Sequence, residues 1–195
     1  MGKGEQTRQM IIERSAALFN TKGIAATAMS DIMEVTGLSK GCLYVHFENK
    51  EVLAEAVIDF NMQLLSNKMT AALDREKSAR DKLYAYIDLY RNPLTPPVSG
   101  GCPMMNFGVE VDDQDEQFRE KVADMVNKSQ QRIVDIIAKG IRDGEFKPTW
   151  NYKEFATTMF ALIEGGTLIS RTTKKIDKMQ IIGRTLRKMI EAQLA

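Results

Sequence analysis

Two short helical segments on either side of Gly37 restrict what this chain can fold into more than any other feature. Thr27 offers an N-cap for the first, which runs through Val35 and turns Ile32 inward together with Met29 or Val35. Gly37 supplies the left-handed residue that ends it. Ser39 caps the second, which carries Leu43 and Phe47 on its inner side. Two such helices joined by a glycine-containing turn, Thr27 to Phe47, have the dimensions of a helix-turn-helix, whose second helix enters the major groove of DNA. Ahead of it, Ile12, Ala16 and Phe19, with Ile11 and Leu18 beside them, mark an amphipathic helix that Gly23 stops.

The remainder has the same helical grammar. Asn49 caps a long helix from Lys50 to about Leu73, and a second runs from about Ser78 to Tyr90. The stretch NPLTPPVSGG, Asn92 to Gly101, holds three of the five prolines and is a loop. Short helical structure follows at Met104 to Val109. Asp112 and Asp113 then open a long helix that reaches Arg142 and closes at Gly144. Asn151, with Glu154 three residues on, has the pattern of a capping box for a helix to about Arg171. A last amphipathic helix carries Ile181, Leu186, Met189, Ile190 and Leu194. No segment alternates with period two for long enough to nominate a strand, and no internal repeat is seen. The expected fold is all-α, with about nine helices: a helix-turn-helix domain over residues 1–50 and a second domain over 51–195.

Composition excludes several classes. An apolar share of 44% supports a sizeable core and excludes a disordered chain. The longest apolar run, Met159 to Ile163, is far short of the ~20 residues that a membrane helix needs. No apolar run follows the basic residues of MGKGEQTR, and Gln6 stands where a myristoylation signal has Ser or Thr, so a cytoplasmic protein without a membrane partner is expected. Cys42 and Cys102 make no disulfide framework. The lone histidine, His46, argues against a metal site and against histidine-based catalysis. Net charge is +1, and the first sixty residues set Lys3, Arg8, Arg14, Lys22, Lys40 and Lys50 against eight acidic side chains. A DNA reading therefore rests on where the cations sit, not on bulk charge.

Two of them sit at helix starts. Thr27 and Ser39 are hydroxyls at helix N-termini, where unpaired N–H groups favour a phosphate, and Lys40 and Lys50 add cations at two such termini. Tyr44 and His46 are polar-tipped rings able to reach phosphate oxygens. Hydroxyl caps are also ordinary, Tyr44 has an alternative as a half-buried aromatic, and His46 as a plain surface residue. The run TGLSKGCLYVHFENKEVL, Thr36 to Leu53, resembles the signature of the TetR family of repressors, and ERSAALFNTKGIAATAMSDI, Glu13 to Ile32, resembles that family's first two helices. The resemblance implies a three-helix DNA-binding domain on a ligand-binding, dimerising all-α body. By that resemblance Ser39, Lys40, Gly41 and Cys42 begin the recognition helix and face the groove, while Thr27, Tyr44, His46 and Lys50 hold phosphates. Gly41 suits a close approach to DNA because it has a bare backbone. Cys42 replaces a commoner Thr or Ser, a weak thiol for a good donor, and Val45 replaces a commoner aromatic or polar residue.

In the body, Phe155, Met159 and Leu162 form one stripe, with Ala161, Gly165 and Leu168 nearby. Two glycines, Gly165 and Gly166, inside a helix cost roughly 1 kcal/mol each relative to alanine, which a close helix–helix approach offsets. By resemblance the last two helices, about 151–171 and 177–194, pair with their copies in a homodimer. Packing of the same faces within one chain is the alternative. A dimer suits a pseudo-palindromic operator, whose half-sites lie about 34–36 Å apart. Phe60, Met62, Tyr86, Tyr90, Met104, Met105, Phe107 and Met125 are candidate walls of a pocket for a small-molecule effector, with ordinary core packing as the alternative. Cys102 lies in GGCPMMNFGVEVDDQDEQFRE, straight after the loop and at a helix start that would lower a thiol's pKa. The stretch is similar to one in several TetR-like repressors, some of them electrophile-responsive, so Cys102 is a candidate redox sensor, or else a small buried side chain.

The expected function is a homodimeric repressor released from double-stranded operator DNA by a small molecule, with Cys102-based sensing as the alternative. A tenfold preference of the effector for the DNA-incompetent arrangement corresponds to about 1.4 kcal/mol. The long helix from Lys50 starts at the DNA and is the natural lever. No cofactor is expected. An all-α enzyme is disfavoured by the single histidine and the lack of a glycine-rich phosphate loop or paired metal-ligand spacing. The carboxylates Asp112, Asp113, Asp115 and Glu116 suit a helix N-terminus without any catalytic role. A protein-interaction module using the same fold is the third reading, separable by its lack of DNA affinity.

Overall fold

Glycine stops and polar caps divide the chain much as their spacing predicts. The structure, a computed structural model, describes residues 2–111 and 116–195. Among them are nine helices: α1 Lys3–Lys22, α2 Met29–Thr36, α3 Lys40–His46, α4 Lys50–Leu73, α5 Ala79–Leu89, α6 Pro103–Val111, α7 Glu116–Arg142, α8 Tyr152–Thr173 and α9 Asp177–Glu191. Extended pairing among the described residues is an isolated bridge between Phe146 and Leu194. None of the helices described is long and apolar enough to cross a membrane. Asp112 and Asp113, expected to open the long helix, and Asp115 of the carboxylate cluster lie outside the described residues.

Two compact units result, Met1–Leu65 with Val98–Ala123, and Ser66–Pro97 with Asp124–Ala195. They do not follow the division expected at residue 50. The first two thirds of α4, all of α6 and the start of α7 belong with the helix-turn-helix.

In the first unit, α1 buries Ile11, Ile12, Ala16 and Phe19, and Gly23 ends it at φ 85°, a value that favours glycine. Buried in the same unit are Ile32 of α2, Leu43 of α3, Phe47, and Leu53, Val57 and Ile58 of α4. Asn61 of α4 donates from Nδ2 to the Ala16 carbonyl at 3.1 Å, a buried tie between α1 and α4. Of the two expected partners of Ile32, Met29 is half-buried and Val35 is exposed. Gly37 ends α2 in the left-handed region. Ser39 Oγ accepts from the Cys42 N–H at 3.3 Å, and Asn49 Oδ1 from the Val52 N–H at 2.8 Å, so both expected caps are present. The cap of α2 is not the one expected. Thr27 Oγ1 donates to the Gly23 carbonyl at 2.5 Å, and Ala28 occupies the cap position. Asp31 instead accepts the Ala28 N–H at 2.9 Å and the Lys22 ammonium at 2.5 Å. Those two bonds, Lys22 first, hold the Asp31 carboxyl below the usual carboxylate range. Its stabilising share is therefore present at neutral pH and is lost as acid protonates it.

In the second unit, Ser78 caps α5 through the Asp81 N–H at 3.0 Å, and the Glu145 carboxylate takes the Ala79 and Arg80 N–H groups at 2.9 and 3.2 Å. Phe146, Trp150 and Phe155 stack in sequence with centroids 5.0 and 4.9 Å apart. Asn151 starts α8 without a side-chain cap bond. Its Nδ2 donates to Glu154 Oε2 at 2.6 Å, so the two side chains satisfy each other and the expected capping box does not form. Helix α8 runs to Thr173, and α9 stops at Glu191, leaving Leu194 to the bridge with Phe146. At Gly166 an added Cβ would lie 2.7 Å from Ile182 Cδ1, so this glycine permits the close approach of α8 and α9 within one chain. Its neighbour Gly165 faces open space, beside exposed Leu168 and Ile169.

Candidate nucleic-acid interface

Helix α3 is anchored from one side only. Leu43 and Phe47 point into the first unit, and the Arg8 guanidinium lies over the Phe47 ring at 4.7 Å. With 3.6 residues per turn, Gly41 and Val45 lie opposite that anchor, with Tyr44 and Cys42 to either side. Burial agrees with the wheel. Val45 is 80% exposed and Tyr44 44%, Ser39, Lys40 and Gly41 are exposed, and Cys42 and His46 are half-buried. The Lys40 ammonium stands 5.9 Å from the Tyr44 ring centroid, a flanking cation beside a phenol. Nothing lies within 4 Å of where a Gly41 Cβ would be, so the fold itself does not require glycine there.

Two of the eight expected DNA-contact residues are committed elsewhere. Thr27 is 1% exposed, and its hydroxyl is used by Gly23. Lys50 donates from Nζ to the Ile24 carbonyl at 2.9 Å and the Thr27 carbonyl at 3.3 Å. Both residues thus shape the turn between α1 and α2. In the protein without DNA both side chains support that turn.

That turn is clasped from its other side as well. Glu110 of α6 accepts the Ile24 N–H at 2.7 Å and the Ala25 N–H at 2.5 Å. An added Cβ on Gly23 would sit 2.8 Å from Glu110 Oε2, so the missing side chain makes room for the carboxylate. An anion therefore takes the turn's donors while the Lys50 ammonium takes its acceptors, and α4 and α6 are both tied to the helix-turn-helix. A second tie joins the end of α1 to the loop before α6. Asn20 Nδ2 donates to the Ser99 and Gly101 carbonyls at 2.7 and 3.2 Å, and Asn106 Nδ2 donates to the Asn20 carbonyl at 2.8 Å. Glu110, Asn20 and Asn106 carry no local sequence signal, since their partners lie 79 to 86 residues away.

The candidate pocket residues divide between the units. Phe60, Met62, Met104, Met105 and Phe107 belong to the first, with Met62, Met104 and Phe107 buried. Tyr86, Tyr90 and Met125 belong to the second, where the two tyrosine rings lie 5.8 Å apart. Cys102 is 5% exposed, and its carbonyl accepts the Asn106 N–H at the start of α6.

Comparison with known proteins bears on the family and the fold. A family model described as "Bacterial regulatory proteins, tetR family" matches residues 11–57, and one described as "Tetracyclin repressor-like, C-terminal domain" matches residues 79–186. A solved TetR-family transcriptional regulator from Cytophaga hutchinsonii is 34% identical, with 100% of this chain and 98% of that one covered and a TM-score of 0.94. An uncharacterized HTH-type transcriptional regulator of Mycobacterium tuberculosis is 28% identical over 194 residues, 96% of this chain and 95% of its own. The HTH-type transcriptional repressor ComR of Escherichia coli is 27% identical over 183 residues, 92% of this chain and 87% of its own.

Proposed function

The chain belongs to the TetR family of transcriptional regulators, DNA-binding proteins that are not enzymes, and from there we propose that it is a homodimeric repressor released from its operator by a small molecule. The observation that carries the DNA reading is the outward face of α3, where Lys40, Gly41, Tyr44 and Val45 stand exposed over an anchored Leu43 and Phe47. Ser39, Lys40, Tyr44 and His46 supply backbone-positioning contacts, and Gly41, Cys42 and Val45 face the base edges. A cytoplasmic site of action goes with this reading, since the proposed target is operator DNA. Selection from a random DNA library with the purified protein tests this. Two related half-sites in inverted orientation are expected among the enriched fragments, and enrichment of none would refute the reading.

The dimer is proposed through the sides of α8 and α9 turned from the core. Leu168, Ile169, Ile181 and Met189 are exposed there, and Gly165 leaves a smooth surface between them and the backbone. Ile169→Glu is expected to raise the dimer dissociation constant at least tenfold, the cost of roughly 1.4 kcal/mol that one buried charge readily exceeds. Sedimentation velocity reads the change, and circular dichroism confirms that the helices persist. An unchanged dimer would move the interface elsewhere.

For the effector, the apolar residues of the first unit, Met62, Met104 and Phe107, suit an adaptable site between α4 and α6. A ligand that shifts either helix acts on the turn that Lys50 and Glu110 clasp, and so on the seating of α2 and α3. Such a ligand needs only to bind the shifted arrangement more tightly. The burial of Cys102 beside Pro103 favours a packing role over an electrophile sensor.

A further inference from the structure

The most outward line of α3 has no strong hydrogen-bonding side chain. Gly41 has no side chain, Val45 one turn later is apolar and 80% exposed, and Cys42 beside them offers only a weak thiol. The polar groups of the helix, Lys40, Tyr44 and the Ser39 cap, lie to its flanks or its start. Hydrogen bonding to base edges is thus missing from the middle of this face, although direct readout of most base pairs depends on it. One base in the major groove can be told from the others without a hydrogen bond. Thymine alone presents an apolar group there, its C5 methyl.

We infer that Val45 reads a thymine methyl in each half-site, and that bare Gly41 lets the helix come close enough for it to do so. This rests on the DNA-binding reading above and adds the base that the centre of the helix selects. The valine is continuous with the recognition face, and its exposure shows that the protein's own core makes no use of it. In water its isopropyl group is solvated. Against a methyl in the groove both apolar surfaces leave water together. Cytosine in the same place would present an amino donor to a side chain unable to accept its bond, and would lose a hydrogen bond to water.

The test is binding of the wild-type protein to the duplex enriched from random DNA, with each thymine of the half-site replaced in turn by deoxyuridine. That exchange removes only the methyl and keeps base pairing. One position is expected at which affinity falls about fourfold per half-site, the worth of one buried methyl, and about fifteenfold with both half-sites substituted. Val45→Ala, a change at the surface that leaves the core untouched, should bind the thymine and uracil duplexes within twofold of each other. Specific binding indifferent to the loss of every thymine methyl would overturn this inference alone. So would an equal thymine preference in Val45→Ala. A complex without any sequence preference would overturn the DNA-binding reading along with it.

Discussion

Replacing Glu110 by alanine is expected to lower the unfolding free energy by about 2 to 3 kcal/mol, because one carboxylate satisfies two backbone donors at 2.5 and 2.7 Å. Hydrogen bonds to a charged group contribute roughly 1.5 to 3 kcal/mol each. The two here do not add in full. Ile24 is buried and its N–H would be left without a partner, whereas exposed Ala25 can turn to water. A chain of this size should then melt about 5 to 10 °C lower. Glu110→Gln retains one carbonyl oxygen and should lose about half as much. Urea denaturation measures both. A Glu110→Ala protein within about 0.5 kcal/mol of wild type, the ordinary range for surface changes, would show that the clasp contributes little. The same variant should bind its operator more weakly, since the turn that seats α2 and α3 is held from one side only.

Gly140→Ala is the second large loss, and its sign is the opposite of what helix propensity predicts. Alanine is favoured over glycine within a helix by about 1 kcal/mol. At Gly140 the added Cβ would lie 2.5 Å from Phe146 Cδ2 and 2.6 Å from Ala79 Cβ. Neither can retreat. The Phe146 ring is buried edge-on against Trp150, and Ala79 is fixed at the start of α5 by the Glu145 carboxylate. Overpacking at the upper end of its usual range, less the propensity gain, leaves a net cost of about 2 kcal/mol. Gly41→Ala is the matched control. It meets open space in α3 and should stabilise the fold by up to about 1 kcal/mol. Comparing the two midpoints in one denaturant decides the matter, and Gly140→Ala as stable as wild type would contradict the packing described.

What could be read in advance was local. The stops at Gly23 and Gly37 and the caps at Ser39 and Asn49 each depend on atoms within a few residues, so spacing alone identifies them. The inward residues of α3 follow from the helical period. Thr27 was less legible because its hydroxyl can either accept a helix N–H or donate to a carbonyl, and it donates to Gly23 while Asp31 accepts at the helix start. The bonds that Lys50 makes within the protein were hidden for a tertiary reason. A lysine at the start of a helix resembles a phosphate ligand until the carbonyls of a turn 23 and 26 residues earlier come within reach. The grouping of α6 with the helix-turn-helix was hidden for the same reason, since Glu110 and Asn106 are unremarkable in sequence and find their partners only on folding.

These bonds bear on which cation matters most to DNA. Lys40 is exposed at the start of α3, whereas the Lys50 ammonium is occupied within the protein. The direct measurement is fluorescence anisotropy on the selected duplex across a salt series, for wild type, Lys40→Ala and Lys50→Ala. The predicted result is a sequence-specific complex whose slope of log affinity against log salt becomes shallower by about one per protomer in Lys40→Ala. In Lys50→Ala the slope should stay that of wild type, with the loss falling on stability instead. An unchanged slope in Lys40→Ala, or one complex of equal strength on any DNA, would contradict recognition through the outward face of α3.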